Sequence, residues 1–398
     1  LEKLIYIAYI DRKIDLGVYK KILAKCGVFA KIYDVALICR EGNSICIENI
    51  KNKSVKYIDN RLLTLNKEDK LLLIKRYINY SRFNSYVQKA LIELAPKYLY
   101  IRKYKFLSKG LKALKFAKKN LNCYIMYEIP SYPDDLEIKG VGRRILNALL
   151  SKVYDVKVEK IVDKIYVVLG KDIILKSDKY KEITNGIDIS DIRIKELYDY
   201  KNMINLIAVA NVSYWHGYDR VIEGLRLYYE SKNKDRIRVN FHIVGDGPEL
   251  NKLKKIANDY GLNEYVVFHG NKIGKELDDL FDISNIGIGS LANHRKGFTK
   301  DSALKNREYC ARGIPFVIAS DDEMFGDNFK YIYKIPKDES PIDINKVIEF
   351  YNLIKKEKFT IEMRKYAEEN LTWNAVMRDI LNDLRVAKSK NHNKKKFE

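Results

Sequence analysis

Apolar residues in this chain fall into short continuous runs, separated by stretches in which they recur every three or four positions, and the two patterns alternate from end to end. Short runs read as buried strands, and the longer spacing reads as helices with one face on a core. Leu4 to Ile10 predicts a strand, Gly17 to Ala30 a helix through Val18, Ile22, Leu23 and Cys26, and Val35 to Cys39 a second strand. Helices at Leu71 to Tyr80 and Ser85 to Leu94, a strand at Tyr98 to Arg102, a helix at Lys109 to Lys119 and strands at Cys123 to Glu128 and Ile165 to Leu169 follow. Asn185-Gly186 marks a turn and Asp188 the domain boundary.

Beyond the boundary the alternation resumes. Strands are expected at Leu206 to Ala210, Arg238 to Val244, Tyr265 to His269, Ile286 to Ser290 and Pro315 to Ala319, with helices at Arg220 to Tyr229, Glu249 to Tyr260, Lys275 to Phe281 and Ser302 to Ala311. Such a pattern predicts an α/β protein with two doubly wound domains, each a parallel sheet covered on both faces. Ligands of such sheets sit at the carboxyl ends of the strands, so the site is expected in a cleft between the domains.

The 398 residues suit two domains, and 46% hydrophobic with 32% charged residues exclude a disordered chain. The longest apolar stretches, Leu206 to Val212 and Ile283 to Leu291, fall short of the roughly 18 to 20 residues of a membrane-crossing helix. The first residues enter a strand-like run without a basic leader or cleavage site, which places the expectation in the cytoplasm. Cys26, Cys39, Cys46, Cys123 and Cys310 form no C-x-x-C pair, so neither a disulfide framework nor a zinc site is expected. Lys and Arg number 74 against 53 Asp and Glu, a net charge of +21 that attracts anions: nucleic acid, anionic lipid headgroups or phosphorylated substrates. A composition bias toward Lys, Ile, Asn and Tyr explains it equally well. Nucleic acid is not an expected partner, because no binding module and no interleaving of basic and aromatic residues is present.

Two segments carry the chemistry. In Phe241-His242-Ile243-Val244-Gly245-Asp246-Gly247-Pro248-Glu249, a strand ends in two glycines and a helix opens at once, a turn able to approach a phosphate or sugar; any strand-to-helix turn favours glycine, so a purely structural role competes. In Asp301 to Ile318 a capping pair, Asp301-Ser302, opens a helix that carries Glu308 and ends at Gly313. Glu308 can accept hydrogen bonds from a ribose diol, and the Ala303, Leu304 and Lys305 amides can receive a diphosphate; the alternative is Glu308 paired with Arg307 or Lys305 on a wet face.

Asn185-Gly186-Ile187-Asp188, the Gly245 to Glu249 turn, His269-Gly270 and Glu308 through Gly313 to Pro315, in this order, resemble the nucleotide-sugar-dependent glycosyltransferases of the GT-B fold, particularly family 4. Asp15 to Ile22 resembles that family's glycine loop, Tyr127 to Pro133 and Ser302 to Phe316 resemble capsule-type bacterial members, and Leu371-Thr372-Trp373 resembles the tryptophan opening the last helix. The resemblance implies two Rossmann-like domains (1–188 and 189–365), a crossover helix (366–386) returning to the first, and, in this sequence, a disordered basic tail (387–398). It implies retaining transfer from a nucleoside diphosphate sugar to a glycan or lipid-linked acceptor, in bacterial surface polysaccharide synthesis, with an anionic membrane surface as a further partner. Carried over by position, Glu308 holds the ribose, the Leu304 and Lys305 amides and Ser302 meet the diphosphate, Gly17 approaches it from the first domain, Gly245 and Gly247 line the pocket, and Asn271 and Lys272 lie near the base. No D-x-D triplet occurs, so no metal and no other cofactor is expected.

The chain departs from the family at three places. The first of two acidic positions is Lys300, with Asp301 one place later, and the family's arginine and lysine after the first C-terminal strand align with Asn211 and His216. The missing charge would come from a protonated His216 or from Arg220, Lys305 or Arg307, of which Lys305 and Arg220 are the expected catalytic cations, with Asp301 as the carboxylate. These departures also motivate an alternative, a catalytically inactive GT-B accessory or binding subunit. Tyr214-Trp215 is expected to contact ligand, and His242 and His269 to be core groups satisfied by backbone.

Overall fold

A computed structural model describes residues 1–65, 71–132, 153–196, 202–231, 236–326, 328–355 and 358–394. The chain divides into two compact units: unit 1 comprises Leu1–Val168, Ile174–Ile183 and Met377–Glu398, and unit 2 comprises Leu169–Ile173 and Thr184–Val376. Both are α/β and Rossmann-like.

Unit 1 runs β1 (Lys3–Asp11), α1 (Leu16–Ala30), β2 (Asp34–Glu41), β3 (Ser44–Asn49), β4 (Val55–Asp59), α2 (Leu72–Leu94), β5 (Tyr98–Arg102), α3 (Ser108–Asn120), β6 (Tyr124–Tyr132), α4 (153–161), β7 (Lys164–Leu169) and β8 (Tyr180–Glu182). Its sheet has the order β4-β3-β2-β1-β5-β6-β7-β8, parallel at its centre. The sheet is not wholly parallel as expected, because β3 and β4 add antiparallel to β2. A tight turn at Gly42, φ +55°, makes that hairpin. The two helices expected between residues 71 and 94 are one helix of 23 residues. The polar residues between the two expected helices are accommodated within it: buried Asn84 donates to the carbonyls of Tyr80 (2.7 Å) and Lys105 (3.3 Å), and the Ser85 hydroxyl to that of Ser81 (2.9 Å).

Unit 2 runs β9 (Met203–Val209), α5 (Tyr218–Glu230), β10 (Arg238–Val244), α6 (Leu250–Asp259), β11 (Val266–Gly270), α7 (Lys275–Asp282), β12 (Ile286–Ile288), α8 (Leu304–Arg312), β13 (Phe316–Ile318), β14 (Ile332–Lys334), α9 (Ile344–Ile354), α10 (Phe359–Tyr366) and α11 (Trp373–Val376). All strand pairs in its sheet are parallel, in the order β11-β10-β9-β12-β13-β14. Counted along the chain this is 3-2-1-4-5-6, so the order reverses between β9 and β12, where ligands of such sheets bind. Alternate residues fill opposite faces: Leu206 and Ala208 join Phe241 and Ile243 in one core, while Ile207 packs with Tyr309, Phe316 and Ile318 in the other.

Met377 onward belongs to unit 1, where α12 (Arg378–Lys394) is held by a Tyr166 hydroxyl donating to Asp383 at 2.8 Å. The division falls after Ile183 rather than at residue 188, and residues 366–376, expected in the crossover helix, belong to unit 2. The tail expected to be disordered from residue 387 is helical to Lys394; residues 395–398, and Pro133 of the capsule-like segment, lie outside the described residues. Among the described residues no helix is long and apolar enough to cross a membrane, and the five cysteines are buried and free.

Candidate functional site

The central strands β9 and β10 of unit 2 end side by side, and the turn after β10 packs directly on the loop after β9. Gly245 and Gly247 have φ of +121° and +153°, regions that side chains rarely enter. A methyl group at Gly245 would collide with the Ala210 carbonyl oxygen, and one at Gly247 with the Val212 backbone and Asn211 Oδ1. Close approach is fixed by the Gly245 amide donating to the Gly270 carbonyl (2.7 Å) and the Val212 amide to the Asp246 carbonyl (2.6 Å). The glycines leave open a cavity of about 580 Å³ lined by Val209, Ala210, Asn211, Val244, Gly245, Asp246, Gly247, Asn271 and Lys272. Thus Asn211, Gly245, Gly247, Asn271 and Lys272, expected together from the sequence, line one cavity whose size suits a small ligand.

The second part is the start of α8. Its N-cap is Ala303, in an extended conformation, and no side chain caps the helix. The expected Asp301-Ser302 cap is absent because Ser302 Oγ is committed elsewhere: it lies 2.7 Å from Thr184 Oγ1 and accepts from the Asn185 amide (2.9 Å) and Arg307 Nη2 (3.2 Å). Ser302 therefore positions the 184–185 segment and is not a donor-binding hydroxyl. The first-turn amides of Leu304 and Lys305 meet no capping side chain, and the positive end of the helix dipole is available to an anion.

Lys305, half-buried, donates from Nζ to the Tyr218 hydroxyl at 3.1 Å. Burial, reinforced by Lys296 and opposed by Asp301, lowers its pKa to about 7. The Asp301 carboxyl is raised by burial and by Asp322, with Lys305 and Arg307 opposing. Lys305 and Asp301 thus lie near enough at the helix start to act on each other's charge.

Two expected cations are corrected. Arg220 is 3% exposed, and its guanidinium donates to the carbonyls of Ser340 (2.7 Å), Pro336 (3.1 Å) and Leu291, with Asp338 at 3.4 Å. Its donors tie loops together, so it supplies no charge to a ligand. His216 is buried, and its Nδ1 accepts from the Ser213 amide at 3.0 Å. Burial, with Lys305 and Lys296 nearby, lowers its pKa to about 2, so it is neutral and carries its proton on Nε2. Arg307 is also committed: fully buried, it pairs with Asp322 (Nη1 to Oδ2, 2.5 Å) and donates to the Asn185 carbonyl (2.9 Å).

Glu308 is half-buried, its side chain 27% exposed, and Oε1 accepts from Arg312 Nε at 3.0 Å. The partner is therefore Arg312, itself bound to Asp278 (2.6 Å) and lying over the Phe281 ring, rather than Arg307 or Lys305. Lys300 pairs with Asp172 (3.0 Å) and Glu323. Gly17 lies exposed in the first turn of α1 in unit 1, with open space where a Cβ would stand. Trp215 is engaged by Lys296, whose ammonium sits 4.6 Å from its ring centre. His242 and His269 bond one another, Nδ1 to Nε2 at 2.9 Å, rather than backbone. Lys296, which the sequence reading did not single out, reaches Trp215 through a contact between loops some eighty residues apart. Among the described residues no group of three or more His, Cys, Asp or Glu is placed to hold a metal ion.

Residues 191–369, most of unit 2, match the model of the family described as Glycosyl transferases group 1. Among curated proteins, an uncharacterized glycosyltransferase of Methanocaldococcus jannaschii is 30% identical over 190 residues, covering 46% of this chain and 45% of the relative. The alpha-monoglucosyldiacylglycerol synthase of Streptococcus pneumoniae is 24% identical over 206 residues, 51% of this chain and 43% of the relative. The chain thus aligns with less than half the length of the curated relatives it matches. Among solved structures, the sucrose-phosphate synthase of Thermosynechococcus elongatus superposes with a TM-score of 0.63 at 12% identity, covering 97% of this chain and 100% of that one. This likeness concerns the fold, which is that of GT-B glycosyltransferases: α/β, with two parallel-sheet Rossmann-like domains.

Proposed function

We propose that this chain is a glycosyltransferase that takes a sugar from a nucleoside diphosphate donor and passes it, with retention of configuration, to a glycan or lipid-linked acceptor. The observation that carries the reading is the pairing, at one edge of one parallel sheet, of a glycine-walled cavity of about 580 Å³ with the uncapped start of α8 bearing Lys305. Breaking the bond between the anomeric carbon and the phosphate oxygen leaves negative charge on the diphosphate. Amides at a helix start and one ammonium group meet that charge as it develops, without reorganising.

In this reading the base and ribose occupy the cavity beside Asn271 and Lys272, and Glu308 accepts from the ribose hydroxyls on its exposed side. The diphosphate meets the Leu304 and Lys305 amides, and His216 Nε2 is available as a neutral donor. No metal takes part in a step of this scheme. The match to a family of glycosyl transferases over residues 191–369 supports the reaction class. The finer reading, bacterial surface polysaccharide synthesis at the inner face of an anionic membrane, draws on the net charge of +21 and on a relative named for a diacylglycerol glycolipid.

The test is turnover of a panel of UDP-, GDP-, dTDP- and CMP-sugars, followed as hydrolysis or transfer. The proposal expects one donor to be consumed and Glu308→Ala to lower turnover at least tenfold, since a charge-assisted hydrogen bond contributes about 1.5 to 3 kcal/mol. A folded protein that consumes no donor until a second protein is added would favour an inactive accessory subunit.

A further inference from the structure

The hairpin of β2 and β3 in unit 1 sets two thiols opposite one another. Its register runs from Ala36 against Asn49 to Glu41 against Ser44, which pairs Cys39 with Cys46. Residues that face each other across an antiparallel ladder have Cα atoms about 4.5 to 5.5 Å apart and side chains on one face. A disulfide needs roughly 4.4 to 6.8 Å between the same atoms, so this backbone holds a bridge without moving a strand. The side chains agree: the two Sγ atoms lie 3.6 Å apart, in hydrogen-bond contact. The turn that sets the register is itself tied down, Gly42 at φ +55° giving its amide to Asp11 Oδ2 at 3.0 Å.

The other cysteines are placed differently. Cys310 Sγ donates to the Met363 carbonyl (3.2 Å) and Cys123 Sγ to that of Tyr124 (3.8 Å), while Cys26 lies on α1. Cys39 and Cys46 are both buried, which keeps large reagents from them. In the plane of the sheet, however, only the edge strand β4 lies beyond β3, and its Tyr57, which faces Cys46 across the ladder, is 55% exposed. The register between β3 and β4 shifts between Ile45 and Cys46. An irregular ladder at a sheet edge has few bonds to break, so it opens locally and admits a molecule little larger than water. The contact from Cys39 lowers the pKa of the Cys46 thiol, with burial opposing and the Arg12 guanidinium helping; the same contact and burial raise that of Cys39. Of the two sulfurs, Cys46 is therefore the better nucleophile.

We propose that Cys39 and Cys46 are a redox-modification site, a cross-strand dithiol that hydrogen peroxide converts to a disulfide. The Cys46 thiolate attacks one peroxide oxygen and the O–O bond breaks; the other oxygen leaves as hydroxide and takes up the thiol proton as water. The Cys39 sulfur then attacks the Cys46 sulfenic sulfur, the S–S bond forms, and the departing hydroxide takes the Cys39 proton as a second water. Two thiols and one peroxide give one disulfide and two waters, the sulfurs losing the two electrons that the peroxide oxygens gain. With the second thiol already 3.6 Å away, the bridge closes before another peroxide carries Cys46 to the sulfinic acid. The bridge lies beneath α1: Glu48, two residues beyond Cys46 and on the same face of β3, receives the Tyr19 hydroxyl at 2.6 Å. It would therefore staple the strand on which the first turns of that helix rest. The inference is independent of the donor reading.

The test treats the folded full chain with hydrogen peroxide, blocks and counts the remaining thiols in denaturant, and maps the peptides by mass. The expected result is loss of two of the five thiols, a linked peptide pair containing Cys39 and Cys46 about 2 Da lighter than the two reduced peptides together, and recovery of all five thiols with dithiothreitol. In Cys39→Ser, which removes the second thiol, dimedone should trap the sulfenic acid on Cys46 and no bridge should form. Five thiols left in the folded wild type, at a peroxide concentration that oxidises the urea-unfolded chain, would overturn the inference. So would a bridge made through Cys26, Cys123 or Cys310, or oxidation that dithiothreitol does not reverse. The wild-type measurement decides the matter even where the serine variant does not fold.

Discussion

Lys305 changes charge inside the range where enzymes work. Its pKa is lowered to about 7, so the ammonium that attracts a diphosphate is present below that value and lost above it. Nucleoside diphosphate affinity of the wild type should therefore fall as pH rises from 6 to 9, and Lys305→Arg, charged throughout, should flatten the profile; a wild-type Kd independent of pH would contradict the assignment. Gly245 makes the complementary case. Its φ of +121° and the Ala210 carbonyl against it predict that Gly245→Ala lowers unfolding free energy by about 1 to 3 kcal/mol in urea titration, with loss of nucleotide binding. The glycines were legible in the sequence as a strand-to-helix turn, but glycine suits any such turn, and only their order with the other motifs pointed to a ligand. Arg220 was not legible: its partners Leu291, Pro336 and Ser340 lie 71, 116 and 120 positions away, and only the tertiary fold shows that its donors are filled.

At the scale of elements, α8 serves two purposes. Its first turn has no side-chain cap and is where the proposed donor's diphosphate would sit, while its middle anchors the segment entering unit 2 through Arg307, which joins Asp322, Thr184 and the Asn185 carbonyl. Removing one partner of a buried pair leaves the other charge stranded, so Arg307→Met should cost about 3 to 5 kcal/mol of stability in urea denaturation. A loss under 1 kcal/mol would show that the pair is not held as described. Most strands and helices of unit 2 could be read from the sequence, because parallel strands buried on both faces give continuous apolar runs. The edge strand β4 and its neighbour β3 went unseen: β4 carries the mixed sequence Val55-Lys56-Tyr57-Ile58-Asp59, β3 has only six residues with polar Ser44, Glu48 and Asn49 among them, and β14, three residues long, offers too short a run to stand out.

The whole chain carries an excess of 21 positive charges, and on unit 1 apolar side chains stand in solvent near basic ones: Ile14 is 75% exposed, and Leu71, Ile74 and Tyr77, at the start of α2, are 55%, 56% and 57% exposed, next in sequence to Lys75 and Arg76. Since α2 ends where β5 begins, its first turns lie toward the carboxyl edge of that sheet, as does the loop bearing Ile14. Basic and apolar groups together favour an anionic lipid surface. Sedimentation with phosphatidylglycerol vesicles should carry the protein down, more weakly at high salt and with Ile74→Glu, and phosphatidylcholine vesicles should not; equal behaviour with both lipids would remove the membrane from the account. The most direct measurement of the central claim is a crystal structure with the nucleoside diphosphate that calorimetry selects. The account predicts diphosphate density on the Leu304 and Lys305 amides with the base in the cavity walled by Gly245 and Gly247, and density at any other place, with the α8 terminus empty, would contradict it.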